Sequence, residues 1–137
     1  MNLKVCSLGA ILAAAIAAPA ALAHHSFAMF DATKTVVVKG TVKEYEWVNP
    51  HVWVRLMIAD QATGKQLEWA FELRSPGTLS KLGMTPTTMK PGDVVTVSYN
   101  PMKDGSRGGQ FLQALLPTGQ LTVSRPGAGP DLRAYKE

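Results

Sequence analysis

The strongest constraint on this chain is a hydrophobic period of two. From Thr35 onward, apolar and polar residues alternate in short runs bounded by glycine, proline or asparagine, a pattern that fits half-buried strands. In the first run Val36, Val38 and Val42 share one face, with Lys39, Thr41 and Lys43 on the other. Gly40 interrupts the run, and beyond Glu44 the large apolar residues shift to Tyr45 and Trp47, the parity change that a bend or bulge produces. Asn49-Pro50 ends the ladder, because proline has no N–H to donate and restricts the residue before it.

A second strand is predicted from His51 to about Asp60, with Val52, Val54, Leu56 and Ile58 inward and His51, Trp53, Arg55 and Met57 outward. Thr63-Gly64 turns the chain into a third strand, Gln66 to Leu73, with Leu67, Trp69, Phe71 and Leu73 inward. Ser75-Pro76 is the signature of an N-cap followed by proline at the first helical position, and Gly83 closes a helix of about two turns. Pro91-Gly92-Asp93 leads into a fourth strand, Val94 to Tyr99. A loop from Lys103 to Gly109 precedes a fifth, Gln110 to Leu116, and Pro117-Thr118-Gly119 turns into a short sixth, Gln120 to Ser124. Three strands, a helix, then two more strands is the element order of an OB-like barrel, so the fold class expected is all-β with one short helix, in a five- to six-stranded OB-like barrel. An immunoglobulin-like sandwich is the rival, but it has about seven strands and no helix at this point.

The first 23 residues are expected to be a cleavable export signal: Lys4 is a short basic region, Val5 to Ala18 a mostly apolar stretch, and Ala21-x-Ala23 the small residues before the scissile bond. The apolar stretch is shorter than the roughly 18 to 20 residues that cross a bilayer, so no membrane span is expected after cleavage. Cys6, the single cysteine, falls within the signal, and disulfides, thiolate metal sites and cysteine nucleophiles are therefore excluded for the exported form. The organisation expected is a signal over 1–23, an extended segment over 24–34, the barrel over 35–124 and a flexible tail over 125–137, where little apolar surface is available to offset the entropy of ordering. Loss of Lys4 with the signal lowers the formal net charge from +4 to about +3, too mild to imply nucleic acid.

Cleavage after Ala23 places two of the three histidines, His24 and His25, at the new terminus. A terminal histidine offers a metal both its amine and its imidazole, nitrogen ligands that suit Cu(II). The amine titrates near 7.7 to 8.0, so it gives up its proton at little cost near neutral pH. His51 can complete the set. It starts the second strand, in the loop joining strands one and two, which together with the loop joining strands four and five flanks the usual binding face of an OB-like barrel. The metal candidates are therefore His24, His25 and His51, and the surface around them is expected to include Trp53, Arg55, Lys103 and Arg107. Each has a plainer reading: a solvated terminus for the histidine pair, a backbone-satisfying ring for His51, a solvated loop for Lys103 and Arg107. Glu44 with Glu46, and Glu68 with Glu72, share strand faces and read as solvated carboxylates with no catalytic task. No G-x-S-x-G motif surrounds Ser26, so a serine hydrolase is not expected.

H-H-S-F-A-M-F-D at 24–31, E-W-V-N-P-H at 46–51, L-x-x-L-G at 79–83 and K-P-G-D at 90–93 together resemble a family of small exported bacterial proteins, a domain of unknown function. The resemblance covers nearly all of the mature chain and implies export but no activity. The terminal histidine is also similar to the histidine brace of copper monooxygenases and of periplasmic copper-binding proteins, a likeness confined to His24 and a second histidine. The function expected is that of a non-enzymatic periplasmic module binding a transition metal, Cu(II) first. The alternative is a metal-independent module for an envelope protein, peptide or small ligand, and a copper-dependent oxidase ranks third.

Overall fold

A computed structural model describes residues 27–135. The expected signal, together with His24 and His25, lies outside the described residues. The strands are β1 (Val36–Glu46), β2 (Trp53–Ala59), β3 (Gln66–Glu72), β4 (Val94–Pro101), β5 (Gly108–Leu115) and β6 (Leu121–Val123), with helix α1 (Pro76–Lys81) between β3 and β4. Their order in the sheet is β3-β2-β1-β4-β5-β6, and a parallel pairing of β3 with β5 closes the first five into a barrel. The molecule is an OB-like barrel with one extra edge strand and one short α-helix.

The parity change in the first strand is a bulge. Val42 pairs with Leu56 and Glu44 with Arg55, so the register against β2 shifts between them. The extra residue bends the strand and turns Tyr45 and Trp47 back to the core that Val42 faces. Val52, Val54, Leu56 and Phe71 have no exposed surface, and α1 plugs the barrel with Leu79, also fully buried. Ser75 caps that helix by accepting from the Thr78 amide, and Pro76 occupies its first turn. Met84 and Met89 are buried packing residues.

Three expectations need correction. The fifth strand begins at Gly108 and not after Gly109, because those two glycines form the closure: Gly108 pairs with Ala70 and Gly109 with Phe71. A Cβ built on Gly108 would lie 1.9 Å from the Ala70 carbonyl oxygen, and one on Gly109 would lie 2.0 Å from that of Asn100. The residues are glycine because two backbones pass where a side chain would sit, not because the chain is loose there.

The second correction concerns the expected tail. Residues 125–135 lie against the barrel, where Leu132 is fully buried in a 3-10 turn packed on β4 and β5. Gln113 donates from Nε2 to the Pro130 carbonyl, and Asp131 caps the turn by accepting from the Arg133 amide at 3.0 Å. Composition undercounts such a segment, since one leucine anchors it on apolar surface that the strands supply. Third, the described part of the N-terminal segment is not simply extended: Phe27–Met29 form a 3-10 turn, and Phe30 is buried and bridged to Met102.

Gly109→Ala is expected to cost about 3 kcal/mol, the upper range for forcing atoms into a filled site. Gly105→Ala, with open space around it and only a positive φ of 77° to disfavour it, is expected to cost about 1 kcal/mol. Equilibrium urea unfolding of the two variants checks the contrast.

Candidate functional site

His51 sits at the end of the β1–β2 loop, just after the cis Asn49–Pro50 peptide. The β2–β3 hairpin fixes what stands beside it. Its register runs from Ala59 opposite Gln66 to Trp53 opposite Glu72, and two further bonds, from the Val52 amide to the Arg74 carbonyl and from the Leu73 amide to the Val52 carbonyl, carry the ladder on to Val52, next to His51. Glu72 thereby lies on the same face as His51, and its Oε1 is 2.6 Å from His51 Nδ1. The side chain of Glu72 is only 6% exposed, against 27% for His51. A buried carboxylate requires a partner, and the imidazole supplies one.

This contact has a definite chemical result. A neutral imidazole that donates from Nδ1 carries its lone pair on Nε2, the nitrogen left to meet a ligand. Carboxylates orient metal-binding histidines in this way, fixing the tautomer and raising the basicity of the other nitrogen. Glu72 is the residue that sequence reasoning missed, because its alternation with Glu68 reads as a solvated strand face. The usable signal was the hairpin register, which sets Glu72 opposite Trp53, two residues from His51.

The N-terminal segment crosses from one loop to the other. Lys103, in the β4–β5 loop, donates from its backbone amide to the Met29 carbonyl at 2.9 Å and from Nζ to the Ala28 carbonyl at 2.8 Å. The Asp31 amide donates to the Pro101 carbonyl at 2.8 Å, and Asn100 donates from Nδ2 to the Lys34 carbonyl at 2.7 Å. Held at these points, the strap brings the Phe27 ring to 6.3 Å from the His51 ring, edge to face at 70°. Asp31 shapes the far end: it accepts from the Thr33 hydroxyl and amide and pairs with Lys34 at 3.0 Å. The Thr33 hydroxyl, followed by Lys34, holds its carboxyl down at about 2.

The other expected surface residues are distributed differently. Trp53 is half-buried beside Glu72 in the hairpin. Arg55 shares the outer face, but its guanidinium is taken up by Glu44 at 3.2 Å and Glu46 at 3.3 Å, with Glu68 at 3.9 Å. Lys43 pairs with the same Glu68, so the charges of this face answer one another. Arg107 is exposed and adds to the lowering of Asp60, whose carboxyl is held down mainly by Thr63. His51, Lys103 and the strap are thus brought together, whereas Arg55 and Arg107 are engaged elsewhere. Among the described residues no three histidine, cysteine or acidic side chains converge as a complete metal cluster.

The fold and this geometry define a small OB-like barrel carrying a carboxylate-oriented histidine at the loop end of the barrel, under an N-terminal strap. The model of a family of unknown function, DUF6152, matches residues 11–111, and the chain belongs to that family. No curated protein matches the chain. The matched span takes in all three histidines, Glu72 and Lys103, and ends within β5.

Two outcomes are expected. His51→Ala should lower stability by about 1 to 3 kcal/mol, the range for stripping a buried polar group of its partner, as read by urea unfolding. The Asp31 carboxyl should titrate at about 2 by NMR, below its ordinary 3.8. Its ionised form then favours the folded strap above roughly pH 4, and that contribution is lost as pH falls through about 2.

Proposed function

We propose that the exported protein is a periplasmic module that binds Cu(II) through its mature N-terminus and His51. The observation that carries this reading is the Glu72–His51 contact at 2.6 Å beneath the docked strap. It leaves the imidazole with Nε2 as its ligand atom, and the Phe27 ring lies beside that imidazole. His24 is three residues upstream of Phe27, a span of at most about 11 Å at 3.8 Å per residue. A tether of that length would let the terminal amine and imidazole of His24 join Nε2 in a three-nitrogen set suited to Cu(II). His25 is the alternative donor of the third nitrogen.

The amine is a ligand only if residue 24 is the first residue. A chain that retains Ala23 has an amide there in place of the amine, so the chelate ring cannot form. The outward face of β1 to β3, where Lys43, Arg55 and their glutamates are mutually paired, lends no comparable support to recognition of an anionic envelope ligand.

Competition titration with Cu(II), with intact mass to establish the terminus, tests the reading. One equivalent should bind to the protein beginning at His24. Retention of Ala23 or His24→Ala should abolish the tight phase, and Glu72→Gln should weaken it by about 10- to 100-fold, as loss of a ligand-orienting carboxylate does. Binding no tighter than that of the His24→Ala variant would sink the proposal.

A further inference from the structure

The strand β6 is the open edge of the sheet, paired with β5 on one side only. Two bonds fix the phase of that pairing: the Ser124 amide donates to the Leu112 carbonyl at 2.8 Å, and the Leu116 amide donates to the Gln120 carbonyl at 2.9 Å. Ala114 stands opposite Thr122 midway between them, so Gln120, Thr122 and Ser124 turn their backbone groups toward β5, whereas Leu121 and Val123 turn theirs away. Among the described residues no backbone group meets those outward N–H and C=O groups. Sheet edges are commonly guarded by lysine, proline or a bulge, and Leu121-Thr122-Val123 has none of these. Thr122 shares the inner face with Ala114 of the core, which puts Leu121 and Val123 on the outer face with Gln113. There Leu121 and Val123, with Pro126, Ala128, Pro130 and Arg133 of the C-terminal segment, line a groove of about 530 Å³. The Asp131 carboxylate, also at the groove, is turned back on its own turn, where it accepts from the Arg133 amide at 3.0 Å. The Arg133 side chain is exposed and, unlike that of Arg55, has no carboxylate partner among the described residues.

We propose that the free edge of β6 and this groove take up an extended peptide segment bearing an acidic side chain: its backbone pairs with Leu121 and Val123, its alternate side chains lie in the groove, and its carboxylate meets Arg133. Each property of the occupant answers one feature of the surface. Outward backbone donors and acceptors on a sheet edge call for a strand, which supplies the complementary groups at the same spacing. The apolar lining suits the side chains that such a strand directs to one face. A guanidinium without a partner at that lining selects a carboxylate, which it can bind through two parallel N–H donors. A second copy of this chain fits less well, because three residues at roughly 3.4 Å each make an edge of about 10 Å, short of the roughly 800 Å² per partner that a stable dimer buries. The site contains none of the candidate copper ligands and lies beyond the residues matched by the family model, so it stands apart from the copper reading.

The test is an NMR titration with an acetylated, amidated hexapeptide of alternating valine and threonine carrying one central glutamate, alongside its glutamine counterpart. Saturable shifts are expected at the amides of Leu121 and Val123, and the glutamate peptide should bind about threefold more tightly, the scale of one exposed ion pair. Arg133→Gln should erase that preference while leaving the glutamine peptide's affinity unchanged. Val123→Pro removes an outward N–H and none of the bonds to β5, so it should weaken both peptides roughly tenfold, the scale of one lost hydrogen bond, with the urea midpoint close to the parent's. If that variant does not fold, the same peptide N-methylated at the amides that face β6 makes the comparison on the unaltered protein, and it should not bind. Absence of shifts at Leu121 and Val123 at millimolar peptide, or equal binding of the N-methylated peptide, would overturn the proposal. So would a dimer in sedimentation that Val123→Pro dissolves, since the edge would then belong to a second copy.

Discussion

The parallel pairing of β3 with β5 is the constraint on which the rest of this molecule depends. It closes five strands of an otherwise open antiparallel sheet, leaving β6 at the edge, and Gly108 and Gly109 permit it by letting the strand pass hard against Ala70 and Asn100. Closure also decides the geography of the surface. Glu72 is the last residue of β3 to pair, opposite Gln110, so the end of β3 is brought against the strand that the β4–β5 loop feeds. The loop bearing Lys103 and the loop bearing His51 are neighbours for this reason. The strap that crosses between them follows from barrel closure as much as from its own sequence.

Within that frame the Glu72–His51 pair is a local balance of costs. Burial of a carboxylate is unfavourable, and a partner offsets it only if the partner is held in place. Here the imidazole is held by the hairpin ladder, which continues through Val52 on one side and Leu73 and Arg74 on the other. The charged groups on the rest of the outer face, Arg55 and Lys43 with their glutamates, are more exposed and answer one another in water, where such pairs contribute little to stability. Two kinds of carboxylate therefore occur on β1 and β3, and among the described residues only Glu72, at the barrel's loop end, meets a histidine.

How much of this was legible in the sequence depended on whether the relevant force was local. The bulge after Val42 was legible because a bulge changes side-chain parity, and Tyr45 and Trp47 carry that change in their spacing. The helix start at Ser75-Pro76 was legible because capping chemistry lies within four residues. Gly108 and Gly109 were not, since glycine has the same appearance in a loop and at a close crossing, and the difference lies in Ala70, far away in sequence. Leu132 was lost in a polar, glycine-rich stretch because its burial is provided by other strands. His51 was visible as a candidate, whereas its orienting partner was not, as Glu72 becomes distinctive only once the hairpin register sets it beside an imidazole.

The anchoring of Leu132 also separates two boundaries that are easily equated. Sequence similarity to the family stops at residue 111, partway along β5. The cooperative unit continues through the remainder of that strand, across β6, and on to a leucine fully sealed against β4 and β5. A gene fragment trimmed to the similarity limit would encode a barrel missing half a stave, lacking Gln113 altogether and leaving the buried Ser98 without the segment around Gly129 that covers it. In this chain the packed barrel therefore reaches to a side chain that lies 21 residues beyond the matched span.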